Sequence, residues 1–339
     1  MPTPSTAARR TARPVLRCLA ALACTTLSLF AVTAHAEWAR REESIMGTRI
    51  YVEAWHDDPA QARAAVDAVI GEMHRINELM SHYRPDSQLS AINARAAREP
   101  VAVDRELFDL IAKALEYSER TDGAFDITYA SVGYLYDYRR RVRPTERQIE
   151  QALPGVNWRN LVLDDAASTV RFGREGMRID LGGLAKGYAC DRGVAILQGF
   201  GVRHGLVTAG GDTRLLGDRR GRPWTIGLRH PDDRSRVILR LPLADVGIST
   251  SGDYERYFEE DGVRHHHIID PKTGHSASGV RSVTIIGPNA TDTEGFSKAV
   301  FIKGPEAGIA LIERYPEFDA VVVDRDGRLW YSKGLAPPE

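Results

Sequence analysis

The sequence predicts an α+β protein with largely antiparallel sheets, flanking helices and an α-rich N-terminal lobe. Two observations carry this. After about residue 155, short β-rich segments recur at 160–164, 168–172, 205–209, 224–229, 236–241, 264–269, 281–286 and 319–323, linked by Gly, Asp and Pro turns. Only single helices interrupt them, near 185–200, 295–302 and 305–314, so no repeating βαβ unit is set up and antiparallel pairing is favoured.

Taken in order, residues 1–36 read as an export signal. Arg9, Arg10, Arg13 and Arg17 precede an apolar run, Leu19 to Val32, that ends in Ala34-His35-Ala36. A basic start, a short apolar centre and an A-x-A end describe a secretory signal cleaved before Glu37. The run is too short and too one-sidedly flanked for a good transmembrane helix. A lipid anchor at Cys24 and a twin-arginine signal at Arg9-Arg10 stand as alternatives to plain export. Cys18 and Cys24 fall inside the signal, so Cys190 alone remains and no internal disulfide is expected.

Met46 to Trp55 alternates as a first strand, with Ile50, Val52 and Ala54 on one face. Asp58-Pro59 caps a helix whose apolar positions are Ala62, Val66, Val69, Met73, Ile76 and Met80. Asp104 starts a second helix through Leu107, Phe108, Ile111 and Leu115, closing near Gly123. Residues 37–335 are read as one domain of two lobes that meet near 155. The 339 residues are 43% hydrophobic with a net charge of −1, enough for one large core. That balance, with no long basic run beyond the N-terminus, leaves no footprint for nucleic acid.

The stretch "IDLGGLAKGYACD", 179–191, is the first candidate site. Ile179-Asp180-Leu181 reads as a strand end and Ala185 to Phe200 as a helix stopped by Gly201. Glycines at a helix mouth let free amides face an anion. GxGxxG is absent, however, and Tyr188 stands where a Walker motif needs Lys. Read alone, the stretch favours tight strand-to-helix packing.

Other segments change that balance: "MGT" at 46–48, Ser81-His82-Tyr83-Arg84-Pro85-Asp86-Ser87, "DGAFDIT" at 122–128, "TAGGD" at 208–212, "STSGDYERYF" at 249–258 and "HHHIIDPKTG" at 265–274. In this order, across nearly the whole mature chain, they resemble the ApbE-type FAD:protein FMN transferases. The resemblance implies a fold related to the tunnelling folds, a periplasmic location, FAD as substrate and a divalent metal, usually Mg2+. It also implies transfer of FMN to a threonine of an acceptor protein, a membrane-bound or periplasmic redox subunit, with AMP released. By the same resemblance Met46 and Tyr83 pack against the flavin, and the backbone of Ala124, Phe125 and Asp126 lines the pocket. Asp180 and Lys186 contact the cofactor, while the Gly183 carbonyl is a metal ligand. Thr250, Ser251 and Gly252 offer hydroxyl and backbone donors, a segment that read alone is only a loop. Strand alternation puts His265 and His267 on one face and His266 on the other. The family pattern picks His267, just before Ile268-Ile269-Asp270-Pro271, as the base. Asp270 is the next candidate base, and Ile269 belongs to the same pocket-forming stretch.

One motif departs from the family. Where the pattern places an Asp and, four residues on, a Thr to hold the metal, this chain has Glu294 and Lys298; a two-residue slip would make Asp292 the acid. Lysine keeps positive charge without ligand geometry. Glu294 and Lys298 also have the spacing of a surface helix pair. Two other functions stay open on the same residues: an FAD carrier that transfers nothing, and an FAD pyrophosphatase with water as acceptor.

Overall fold

The computed structural model describes residues 37–233 and 235–335. The expected signal, with Arg9, Arg10 and both of its cysteines, lies outside the described residues.

The first strand pairs with a neighbour that the sequence did not predict. Glu37–Ile45 (β1) and Thr48–His56 (β2) form an antiparallel hairpin, Ile45 opposite Thr48 and Glu37 opposite His56. Met46 and Gly47 make its turn, both at positive φ (55° and 67°), which matches a two-residue hairpin to strand twist. The expected strand therefore starts two residues later than the alternation suggests. β1 escapes a hydrophobicity reading because its charged sequence suits a sheet edge.

Six further strands extend this hairpin: His204–Ala209 (β3), Asp212–Leu216 (β4), Gly247–Gly252 (β5), Val280–Gly287 (β6), Asp319–Asp324 (β7) and Leu329–Tyr331 (β8). The eight lie side by side in chain order, each antiparallel to the next. Alternation divides their side chains. Ile50, Val52, Val207, Val283, Ile285 and Val322 face a core shared with helices Pro59–Met80 (α1), Arg105–Arg120 (α2), Ala185–Gly199 (α3), Ala290–Lys303 (α4) and Pro305–Ile312 (α5). Leu206, Leu215, Ile248, Ile286 and Val321 belong to a second core, closed by Trp224, Leu228 and Leu241 of the hairpin 224–243.

Because β2 pairs with β3, the N-terminal segment is part of the main sheet. A small sheet likewise joins Val101–Ala102 to Leu161–Asp164 and Thr169–Phe172 across position 155. The change of texture at 155 marks a change of element type and separates no lobe.

Two close approaches fix the site. A Cβ on Gly187 of α3 would lie 2.2 Å from the Ala290 carbonyl oxygen, and one on Gly247 of β5 would lie 2.1 Å from the Asn289 carbonyl carbon. Helix α4 thus starts in contact with both α3 and the middle of the sheet. That contact explains why "GISTSG" is a central strand despite poor β propensity: small residues are what α4 allows there.

Candidate active site

The glycine stretch forms an elbow, not the end of a strand. The Asn93 amide clamps the backbone of Ile179 from both sides, accepting from its N–H at 2.8 Å and donating to its carbonyl at 2.9 Å. The Asp180 N–H donates to the Ile127 carbonyl at 3.0 Å. With these groups engaged there is no ladder for a strand, and the chain turns through Gly182 and Gly183 into α3.

Asp180 anchors the elbow. Its carboxylate accepts from the Gly182 N–H (2.6 Å), the Tyr129 hydroxyl (3.2 Å) and the Tyr134 hydroxyl (3.2 Å), and meets His82 Nδ1 at 2.5 Å. Burial alone would raise its pKa; the hydrogen bond and charge of His82, with those donors, hold it below the ordinary value. These contacts fill the acceptor capacity of a carboxylate.

At the second residue of α3, Lys186 points inward, towards Asp212 at the start of β4 and Glu294 on α4. Its ammonium lies 3.1 Å from Asp212 Oδ2, donates to the Gly182 carbonyl at 2.9 Å and pairs with Glu294 Oε1. Burial opposes its charge, but the two carboxylates hold its pKa above the ordinary value. The second oxygen of each acid is also engaged. Glu294 Oε2 accepts the Gly187 N–H at 2.7 Å, and Asp212 Oδ1 accepts the Ser249 hydroxyl at 2.5 Å. Glu294 is fully buried; burial, then the nearby Asp212 charge, pushes its pKa up.

Lys298 lies four residues further along α4 and is not a surface partner of Glu294. Its ammonium donates to Ser251 Oγ at 2.8 Å and lies 3.4 Å from Ser297 Oγ. Its Cγ is 3.6 Å from where a Cβ of Gly183 would be, so the side chain runs beside the elbow. Burial and the Lys186 charge act to lower its pKa, which lies below the ordinary value.

His267 completes the group. The strand Val263–His266 stops just before it, so the alternation expected through 264–269 does not reach it. His266 is the buried member, its Nε2 2.8 Å from the Ala277 carbonyl and its ring edge-on to Phe301. His265 tilts against Phe258. The buried Nδ1 of His267 has no hydrogen-bond partner. Burial first, then the positive charge of Lys298, lowers its pKa to about 3. The ring is therefore neutral at physiological pH.

The other expected residues are placed as follows. Tyr83 is 73% exposed and tilts against His82 with ring centroids 3.8 Å apart, while His82 lies 4.7 Å from the Tyr134 ring, leaving an aromatic platform open to solvent beside Asp180. Met46 sits in the hairpin turn, with the Arg256 guanidinium donating to the neighbouring Gly47 carbonyl at 3.0 Å. The Phe125 ring touches the elbow at Gly183, and the N–H of Phe125 donates to Thr121 Oγ1. Ala124 is buried. Asp126 caps the turn 127–129 through Thr128 and accepts the Trp158 N–H; burial raises its pKa. On β5, Ser251 faces Lys298, but Thr250 lies on the other face of the sheet, where it meets its cross-strand partner Thr284 at 2.9 Å between hydroxyls. A Cβ on Gly252 would strike the Tyr254 ring at 2.5 Å. Ile269 is buried in a small cluster with Val132, Tyr136 and Ile149, and the Asp270 carboxylate caps its own turn by accepting the Lys272 N–H at 2.9 Å. Asp292 lies apart, accepting from Tyr117 and Asn289, and lines a separate hollow with Lys113, Asp191 and Arg214.

The sequence profile of the ApbE family matches residues 46–322. The chain belongs to the ApbE family. A Treponema pallidum (strain Nichols) protein named FAD:protein FMN transferase is 34% identical over 87% of this chain and 87% of its own length. A Vibrio cholerae protein of the same name is 32% identical over 76% of this chain and 77% of its own. Among solved structures, the ApbE protein of Thermotoga maritima superposes with a TM-score of 0.82 at 34% identity, over 88% of this chain and 98% of the other. The flavin transferase ApbE of Vibrio cholerae gives 0.79 at 28% identity, with the same coverage.

Within this ApbE protein the residues around Gly183 do not fit a divalent ion. All four oxygens of Asp212 and Glu294 already accept from Lys186, Ser249 or Gly187, the Lys186 ammonium contacts both acids, and Lys298 brings a second ammonium group alongside Gly183. Among the described residues, no group of three or more His, Cys, Asp or Glu side chains is arranged to hold a metal. Sequence reasoning missed Asp212, Ser249, Ser297 and the His82–Tyr134–Asp180 contact. "TAGGD" did contain Asp212, but only the fold brings it to Lys186.

Proposed function

We propose that this protein transfers the FMN half of FAD to a threonine hydroxyl of an acceptor protein and releases AMP. One observation carries the reading. A neutral imidazole with an unpartnered nitrogen feels the charge of the Lys298 ammonium, which runs beside the glycine elbow, in a chain whose relatives are named FAD:protein FMN transferases. The aromatic platform of Tyr83, His82 and Tyr134 suits a flat heterocycle. The Lys298 ammonium, running beside Gly183 with hydroxyl partners alone, suits the diphosphate. His267, kept neutral, takes the proton of the attacking hydroxyl. Asp180 holds the elbow and the platform in register.

The export reading of residues 1–36 supports a periplasmic reaction with an exported or membrane-bound redox subunit as acceptor. Co-expression with a threonine-bearing acceptor, followed by flavin fluorescence in a denaturing gel, tests the function. Fluorescence that stays with the acceptor, with the added mass of one FMN, is the expected result. Fluorescence that leaves on denaturation would make the protein a carrier of FAD.

A further inference from the structure

We propose that the Lys298 ammonium is the resident cation of this site, so that FAD is cleaved without a divalent metal. The proposal rests on the transferase reading and adds how this chain handles the charge of the diphosphate.

Three observations support it. Each oxygen of Asp212 and Glu294 already has a donor, and the Lys186 ammonium contacts both acids, so an ion ligated by the pair would have to displace that ammonium. Lys186 pairs directly with both Asp212 and Glu294, whereas Lys298 hydrogen-bonds hydroxyls alone: no ion pair joins it to a carboxylate among the described residues. Those hydroxyls are themselves fixed. Ser251 and Ser297 are 2.9 Å apart, Ser297 donates to the Glu294 carbonyl at 2.9 Å, and Ser249 lies 3.1 Å from Ser297. The ammonium is therefore aimed beside Gly183 by a rigid serine cluster between α4 and β5, which is electrostatic preorganisation.

The step balances without another reagent. The threonine oxygen forms a bond to the FMN phosphorus, and the bond from that phosphorus to the bridging oxygen breaks. The electron pair leaves on the AMP phosphate, and the hydroxyl proton passes to neutral His267. Negative charge grows on the bridging oxygen as AMP departs, and a held ammonium stabilises it there.

Two measurements on the purified protein test this. AMP release from FAD is followed with excess EDTA and with Mg2+, and free Mn2+ is followed by electron paramagnetic resonance during titration of the FAD-bound protein. The proposal expects AMP release to change by less than about twofold on chelation, and Mn2+ to stay free. Lys298→Met should lower AMP release by about 10²–10³-fold, with Lys298→Arg recovering part of it. Loss on chelation with recovery in Mg2+, stoichiometric Mn2+ binding, or an undiminished Lys298→Met rate would each overturn the proposal while leaving the transferase reading intact. No AMP release under any condition, together with no FMN on the acceptor, would remove the transferase reading and this proposal with it.

Discussion

On one side of the elbow the Asp180 carboxylate meets the Gly182 amide, two tyrosine hydroxyls and His82; on the other, Lys298 ends on serine hydroxyls and His267 Nδ1 on nothing. The Asp180 carboxylate and the Nδ1 atom of His267 are both buried. A buried polar group whose capacity is filled holds structure in place, because removing its partner costs stability. A buried group left with spare capacity costs stability as it stands, and is kept for something that arrives later. The difference separates an architectural side from a working side within one site.

The largest expected effect falls on the working side. His267→Ala should slow AMP release and FMN transfer by about 10²–10⁴-fold, with the urea midpoint unchanged or raised. An undiminished single-turnover rate would move the base elsewhere, and the comparison would lose one of its two terms.

Asp180→Ala should do the reverse. Leaving two tyrosine hydroxyls and His82 without their acceptor should cost about 3 kcal/mol in urea denaturation and weaken FAD binding through a loosened platform. A variant as stable as the parent would show that Asp180 is not the anchor.

A smaller effect appears in the pH dependence. The folded pKa of His267, about 3, lies below its ordinary 6.5. The stability gained by keeping the ring neutral is present above pH 6.5 and is lost as pH falls towards 3, because the unfolded chain takes up the proton first. Wild type should thus lose more stability than His267→Ala between those values in denaturant titrations. For the same reason kcat/KM for FAD should show no inflection from His267 across about pH 5–8. An inflection near 6.5 that vanishes in His267→Ala would contradict the buried, neutral ring.

Much of the fold was legible because hydrophobic spacing is local. Helices α1, α2, α3 and α5 and the strands around 205–209, 281–286 and 319–323 sit close to where the pattern put them. β1 and β5 were not legible. The first is charged because it is an edge, and the second is made of Ser, Thr and Gly because α4 crosses it. The site divides in the same way. The glycine elbow, Lys186 and His267 stood out through motifs, although His267 was assigned a strand position it does not hold. Asp212 and Ser297 stayed hidden, since each becomes a site residue only through a contact distant in sequence. Lys298 was visible as a departure, yet spacing alone could not distinguish a solvent-facing pair from a part-buried cation held by serines.

A crystal structure of the protein soaked with FAD tests the account most directly. The flavin is expected on the Tyr83–His82–Tyr134 platform, the diphosphate within hydrogen-bond reach of the Lys298 ammonium beside Gly183, and His267 free to meet an incoming hydroxyl. A diphosphate bound away from Lys298, or a flavin seated in the hollow lined by Lys113 and Arg214, would contradict it.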